Sequence, residues 1–445
     1  MATVRELSPT ARPAGYGALL LARSRALRAR VLGPAENGRL LRNGHLLTLS
    51  SLLTASVGAV FWLFATSWYS AQQIGLAYAV IAAATLLAGF GQLNLADVLI
   101  RFLPAAGRHS GRLVLRCYAA AAAASALGAV LFLAVVPEVT PRLEFLRGPA
   151  AAIGFVAGTV GYALFVVQDG ALTGMRRPGW VLAENGLFAA VKTGALVVFG
   201  LWAVGSGILL SWLGALAVSL AVTSTFLVRR AVPRHERGPA GDPPRGVLRY
   251  AAADYAGALC RLTAYNLVPL LVLDYLGPDS NAYFSLSWVI AYTLFLAAYN
   301  MGSSLIVEAA RAPEQLAAHA RTVLRHSAPL IAAGAAALIL LAPLLLSLFG
   351  PQYAAQGTTP VRLLALAAVP NLLLDVAIDV ARARRRLRWV VGLQAALCVL
   401  VLGLGTALMP RLGLTGIALA WLLAELALAV PLLLTLPRWL PKRRP

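Results

Sequence analysis

Twelve runs of apolar residues, each closed by charged or proline- and glycine-rich breaks, decide what this chain can become. They fall at residues 46–69, 74–97, 113–136, 149–171, 180–203, 207–228, 250–276, 281–306, 323–349, 358–381, 389–408 and 414–436 of a sequence 445 residues long. A hydrocarbon core about 30 Å thick is crossed by roughly 20 residues of α-helix. Within it only helices and closed barrels satisfy their own backbone polar groups. Runs of this length read as an all-α integral membrane protein with twelve transmembrane helices. Only 12% of the residues are charged, against about 25% in soluble domains, which excludes a soluble globular enzyme.

The few charges are lopsided, 38 basic against 17 acidic, for a net charge of +21. In a soluble chain that excess would point to nucleic acid; in a membrane protein it first reports topology, because Lys and Arg collect in cytoplasmic loops. The tail 1–45 holds eight Arg, the second loop has Arg101, Arg108, Arg112 and Arg116, the fourth has Arg176 and Arg177, and the sixth, 229–249, has six. Arg311, Arg321 and Arg325, the five arginines from Arg382 to Arg388 and the four cations after Leu436 complete the set. The alternate loops hold only Arg142, Arg147 and Arg411. Both termini are therefore expected in the cytoplasm, in a multi-pass protein of the cell membrane. Residues 1–45 have no apolar core ahead of the first span and are not expected to be a cleaved signal. Tyr16 to Leu32 reads either as a basic helix lying on the inner leaflet or as a disordered tail that sets topology.

The two halves repeat weakly. The segment beginning at Ile74 resembles the one beginning at Asn281, an offset of 207, and GMRRPGWVL from Gly174 matches ARRRLRWVV from Ala383, an offset of 209 that sets Trp180 over Trp389. Six spans followed by six give two lobes of the same orientation, and parallel repeats place a substrate site at their interface. The division is a lobe at 46–228, a cytoplasmic linker at 229–249, a second lobe at 250–436 and a basic tail at 437–445. Cys117, Cys260 and Cys398 lie in apolar stretches without metal or disulfide spacing, and read as small buried hydrophobes.

Gly58, Phe61, Trp62 and Ala65, then Gly75 to Ala77, then Leu95 and Leu99 to Pro104 form a pattern that resembles the opening of the polysaccharide transporter family. These are the Wzx-like oligosaccharide-lipid flippases of the multidrug/oligosaccharidyl-lipid/polysaccharide exporter superfamily. Val167 to Leu196 is similar to that family's hairpin between the fourth and fifth helices. The resemblance covers most of the chain through scattered small and apolar residues. It implies two pseudo-symmetric six-helix bundles around a V-shaped central cavity, alternating access, and a polyprenyl-diphosphate-linked oligosaccharide as cargo. The implied partners are that lipid-linked anionic oligosaccharide, membrane lipids, and glycan polymerase or glycosyltransferases, with no nucleic acid and no cofactor.

Charges inside spans need a partner, an aqueous cavity or a function, since each costs about 2.5–3.5 kcal/mol even on a lenient scale. Lys192 and Arg261 both fall near the midplane, in different lobes. One reading is a cationic cavity lining for a diphosphate, which Arg can grip with two parallel bonds; the other is internal pairing, Lys192 with Glu184 and Arg261 with Asp254. Asp375, which follows Pro370, and Glu425, central in the last span, are candidates for ion coupling, because a helix broken at proline frees carbonyls for a cation. Asp379 is placed for an ordinary pair with Arg382. Asp97, Asp169 and Asp254 sit at cytoplasmic ends and are expected to pair with loop arginines. Gly154 and Gly158 suit close helix packing, and Trp62, Trp68 and Tyr69 suit an interfacial belt.

No Walker motif is present, so transport would draw on an ion gradient, the membrane potential or removal of product. A MATE-like ion-coupled small-molecule antiporter is the alternative, although midplane cations favour an anionic cargo. A membrane glycosyltransferase or polymerase would need larger outer loops than these, and a non-transporting scaffold remains the fourth reading. The chain is expected not to be an enzyme.

Overall fold

The computed structural model describes residues 58–236, 255–311 and 315–440. The expected basic tail 1–45, the segment Tyr16 to Leu32, most of the linker 229–249, Asp254 and the residues after Leu440 lie outside them.

Among the described residues a helical segment stands at each of the twelve expected spans, of which 46–57 in the first and 250–254 in the seventh lie outside them. They are α1 (Gly58–Trp68), α2 (Ala71–Gly91), α3 (Ser110–Val139), α4 (Pro149–Gly174), α5 (Pro178–Leu201) and α6 (Gly207–Phe226). The second half has α7 (Tyr255–Leu276), α8 (Pro278–Arg311), α9 (Leu316–Ser347) and α10 (Pro351–Ala383). Then α11 (387–412) and α12 (414–434) run on from one another in Leu387–Leu434, bent at Gly413, whose φ of 56° and ψ of −135° favour a residue without a Cβ.

Local chemistry sets the helix ends. Ser70 and Gln73 form a reciprocal capping box at the start of α2. Pro149, Pro178 and Pro351 open their helices, where the missing N–H costs nothing. The second span differs from its expected continuous run. It stops at Gly91, turns through Leu93 and Asn94 at φ 50° and 58°, and resumes as a short helix, Leu95–Phe102. Asn tolerates that conformation and Leu does so rarely, so apolar content alone hides the break.

The internal repeat is written in the backbone. Arg176 and Arg385, 209 residues apart, both adopt the left-handed conformation, with φ 57° and 58°. Behind them the N–H of Arg177 reaches the carbonyl of Leu172 at 2.9 Å, and that of Arg386 reaches Ala381 at 2.8 Å. Each turn closes one lobe's helix hairpin with the same C-terminal cap.

Within the first lobe α2 packs on α3 and α4, α3 on α4, and α6 on α4 and α5; within the second α10 packs on α8, α9 and the α11–α12 run, which also covers α7. Gly158 accounts for the close approach of α4 and α6: a Cβ there would lie 2.6 Å from the Trp212 ring, as the small-residue pattern implies. The lobes meet where α2 packs on α7 and α8. At the end away from the arginine-rich loops, a Cβ on Gly75 would overlap the Pro278 carbonyl, and Asn281 Nδ2 donates to the Gly75 carbonyl at 2.8 Å. Arg142, in the helical turn Pro141–Arg147, donates across the same end to the Leu273 carbonyl. Towards the arginine-rich end, the Tyr255 hydroxyl donates to the Phe90 carbonyl.

Candidate functional site

The seam between lobes holds two cavities that share Thr85, Tyr265, Asn266 and Tyr292 in their walls. The larger, about 580 Å³, lies between α1 and α2 of one lobe and α7 and α8 of the other, walled by rings including Trp62, Tyr78, Trp288 and Tyr292. The smaller, about 300 Å³, lies nearer the arginine-rich end, among α2, α4, α7 and α8, and includes Tyr162, Tyr255 and Arg261. Aromatic side chains with one polar end thus line both cavities, and a guanidinium lines the smaller one. Among the described residues, no charged side chain lines the larger cavity.

Arg261 sits on α7, its guanidinium carbon 5.0 Å from the centre of the Tyr299 ring, a cation–π arrangement. It also feels the charge of Asp375, on α10 across the second lobe. Asp254, the alternative partner, lies outside the described residues. Lys192, on α5, places its ammonium 4.2 Å from the centre of Phe61 and 5.4 Å from that of Phe188. Neither cavity has Lys192 in its wall, and among the described residues no ion pair joins it to Glu184. The two midplane cations therefore occupy different settings. Arg261 faces the seam, and Lys192 is held on rings inside the first lobe.

Asp375 and Glu425 fall into one polar cluster, of which Glu425 is buried and Asp375 half-buried. Glu425 is fully buried, accepts a hydrogen bond from Asn371 Nδ2 at 3.1 Å and has the Trp421 indole N–H beside its carboxylate. Asn371 follows Pro370 inside α10, one turn before Asp375, so the helix brings Asn371 and Asp375 to one side. Electrostatic reach links Asp375 to both Glu425 and Arg261, and Tyr265 lies within reach of all three. Asp379, one turn further, forms the expected pair with Arg382 at 3.5 Å. A carboxylate in so enclosed a cluster can take a proton or a cation, and a nearby fixed cation weakens that hold. An ion held at Asp375 and Glu425 would change the charge that Arg261 offers the seam.

A second acidic site escapes sequence reasoning. Glu184 on α5 is 1% exposed with both carboxylate oxygens lacking a protein partner. Asp169 on α4 lies within its electrostatic reach and accepts a 3.4 Å hydrogen bond from Asn185. Buried charges are normally paired, so the sequence reading offers Glu184 as one alternative for Lys192 and expects Asp169 to pair with loop arginines. The signal that would have separated them is helical register: Glu184 and Lys192 are eight residues apart, at about 12 Å of rise. Trp62 is likewise corrected, from an interfacial belt to the cavity wall at 8% exposure; Trp68, 37% exposed, keeps a belt position.

Solved structures share this architecture. An inward-facing multidrug resistance MATE family transporter of the MOP superfamily matches with a TM-score of 0.70 at 14% identity, over 88% of this chain and 98% of that chain. An outward-facing multidrug resistance MATE family transporter of the same superfamily matches with a TM-score of 0.64 at 14% identity, over 93% and 98%. A MATE in complex with MaL6 matches with a TM-score of 0.64 at 14% identity, over 92% and 98%. The chain thus has the all-helical, two-lobed fold of these transporters. No family model matches the sequence, and no curated protein matches it.

Proposed function

We propose that this protein is a flippase that carries a polyprenyl-diphosphate-linked oligosaccharide across the cytoplasmic membrane by alternating access, for cell-surface polysaccharide synthesis. The observation that carries the reading is Arg261, a midplane cation in the wall of an aromatic cavity between two lobes. In a low-dielectric vestibule one fixed guanidinium attracts a diphosphate far more strongly than in bulk water. Trp and Tyr faces beside it offer flat surfaces for sugar rings, and the prenyl chain stays in lipid. The lobes meet along helix faces, a geometry that rocking of rigid bundles can open at either end. Cells depleted of the protein should accumulate the lipid-linked glycan on the inner leaflet.

The larger cavity supports one other reading. Its rings and its lack of charged lining suit an organic cation through cation–π attraction, as in a MATE-like ion-coupled antiporter. Depleted cells would then accumulate organic cations and keep normal surface glycan.

Either cargo can be coupled to an ion through Asp375 and Glu425. Asp375→Asn should leave transport running at the same rate with and without an imposed proton or sodium gradient, measured as initial rates in sealed vesicles. Gradient dependence equal to that of the unaltered protein would remove Asp375 from the coupling site.

A further inference from the structure

The internal repeat isolates one difference between the lobes. In the first, Trp180 at the start of α5 stacks on Phe226 at the end of α6, with ring centroids 3.6 Å apart and planes at 13°. That stack fills the corner beside the α4–α5 turn. In the second lobe Trp389 follows a turn of the same backbone geometry, yet the residue 209 positions after Phe226 is Thr435. A cleft of about 450 Å³ occupies the corner instead, and Trp389, at its edge, is 59% exposed. Arg384 replaces the first lobe's Met175 at the same offset. Both the opening and one of its cations therefore belong to the second lobe alone.

The cleft is amphipathic. Leu393, Leu428 and the buried Leu432 line its apolar part, Arg384 and the exposed Arg386 and Arg438 line its polar part, and among the described residues no acidic side chain lines it. Its frame is fixed by the chain's last described segment. Arg384 Nη1 donates to the Trp439 carbonyl at 2.9 Å, Trp439 Nε1 donates to the Leu432 carbonyl at 2.9 Å, and Arg321 on α9 donates to the Leu440 carbonyl. Burial, and after it the like charge of Arg386, holds the Arg384 guanidinium below its ordinary range. Converging cations without an acid are relieved by an anion. No first-lobe residue contributes to the cleft, and Leu433 and Leu434 beside it are 59% and 77% exposed, so it opens on the outer flank of the bundle. All three arginines lie at the end of the molecule that the positive-inside rule assigns to the cytoplasm.

We propose that this cleft is a binding site for an anionic phospholipid of the inner leaflet, with its phosphate at Arg384, Arg386 and Arg438 and an acyl chain along Leu393, Leu428 and Leu432. Charge complementarity selects the headgroup and the apolar part selects a lipid over a free anion. Basic pockets at the cytoplasmic side of helical bundles hold such headgroups by the same physics. The site is separate from the seam and serves as an anchor for the second lobe, whatever the cargo.

Native mass spectrometry of the full-length protein in detergent, titrated with phosphatidylglycerol, phosphatidylcholine or inorganic phosphate, tests this. One phosphatidylglycerol should be retained at least tenfold more tightly than phosphatidylcholine, and millimolar phosphate should not displace it. Two variants probe the site differently. R386E/R438E changes two exposed side chains and should weaken retention at least tenfold. Thr435→Phe leaves the charge unaltered, refills the corner as Phe226 does, and should abolish the tight adduct. Equal retention of the two lipids, displacement by phosphate, or undiminished retention in R386E/R438E would each overturn the proposal.

Discussion

Gly75→Ala is expected to force the lobes apart at the end away from the arginine-rich loops and to raise access to the central cavity from outside about 100-fold. The reason is that the new Cβ would overlap the Pro278 carbonyl, and Ala282 N lies 3.0 Å away. Both are backbone atoms, so no side-chain rotation relieves the overlap; α2 and α8 must separate. Overpacking of this kind costs about 1–3 kcal/mol, and each 1.4 kcal/mol is about tenfold in a two-state population. Separation also breaks the hydrogen bond from Asn281 to Gly75, leaving the Arg142 link to Leu273 to carry the closure. The measurement is the labelling rate of a cysteine at Ile81, in the larger cavity, by an impermeant thiol reagent, in a background free of Cys117, Cys260 and Cys398. An unchanged rate would mean that this contact does not close the outer end.

The second large effect is expected at Arg261. Arg261→Gln keeps a polar side chain but removes the only charge that the described residues place in the cavity wall. Charge-assisted hydrogen bonds contribute about 1.5–3 kcal/mol each, so initial flipping of a prenyl-diphosphate glycan should fall by about 10- to 100-fold at subsaturating cargo. Arg261→Lys restores the charge without the bidentate fork and should recover part of the rate, an outcome that a purely structural defect would not produce. Lys192→Gln is expected to act more weakly on its own, because its ammonium rests on Phe61 and Phe188 and not in either cavity. The double change should abolish export at normal protein levels. Undiminished surface glycan in that variant would remove both cations from the cargo path.

The architecture was legible because its determinants are one-dimensional. Apolar run length places all twelve helices, and the repeat between Gly174 and Ala383 predicts a shared turn that the backbone realises at Arg176 and Arg385. What sequence could not place were features set by rotation about a helix axis. The break at Leu93 and Asn94 and the inward turn of Trp62 depend on which neighbour a face meets, whereas the isolation of Glu184 from Lys192 is readable from their spacing of eight residues. The clustering of Asn371, Asp375 and Glu425 was visible only as separate intramembrane polar residues. The cleft beside Trp389 emerged from comparing the lobes in space, since a threonine opposite a phenylalanine means nothing until both turns are seen to coincide.

The central claim, an anionic lipid-linked glycan as cargo, is tested most directly by the leaflet distribution of prenyl-diphosphate oligosaccharide in cells depleted of the protein. Spheroplasts probed with an impermeant glycan-modifying reagent should leave the accumulated species protected, and re-expression of the unaltered chain, but not of Arg261→Gln, should make it accessible. Full accessibility in depleted cells, or equal rescue by Arg261→Gln, would contradict the account.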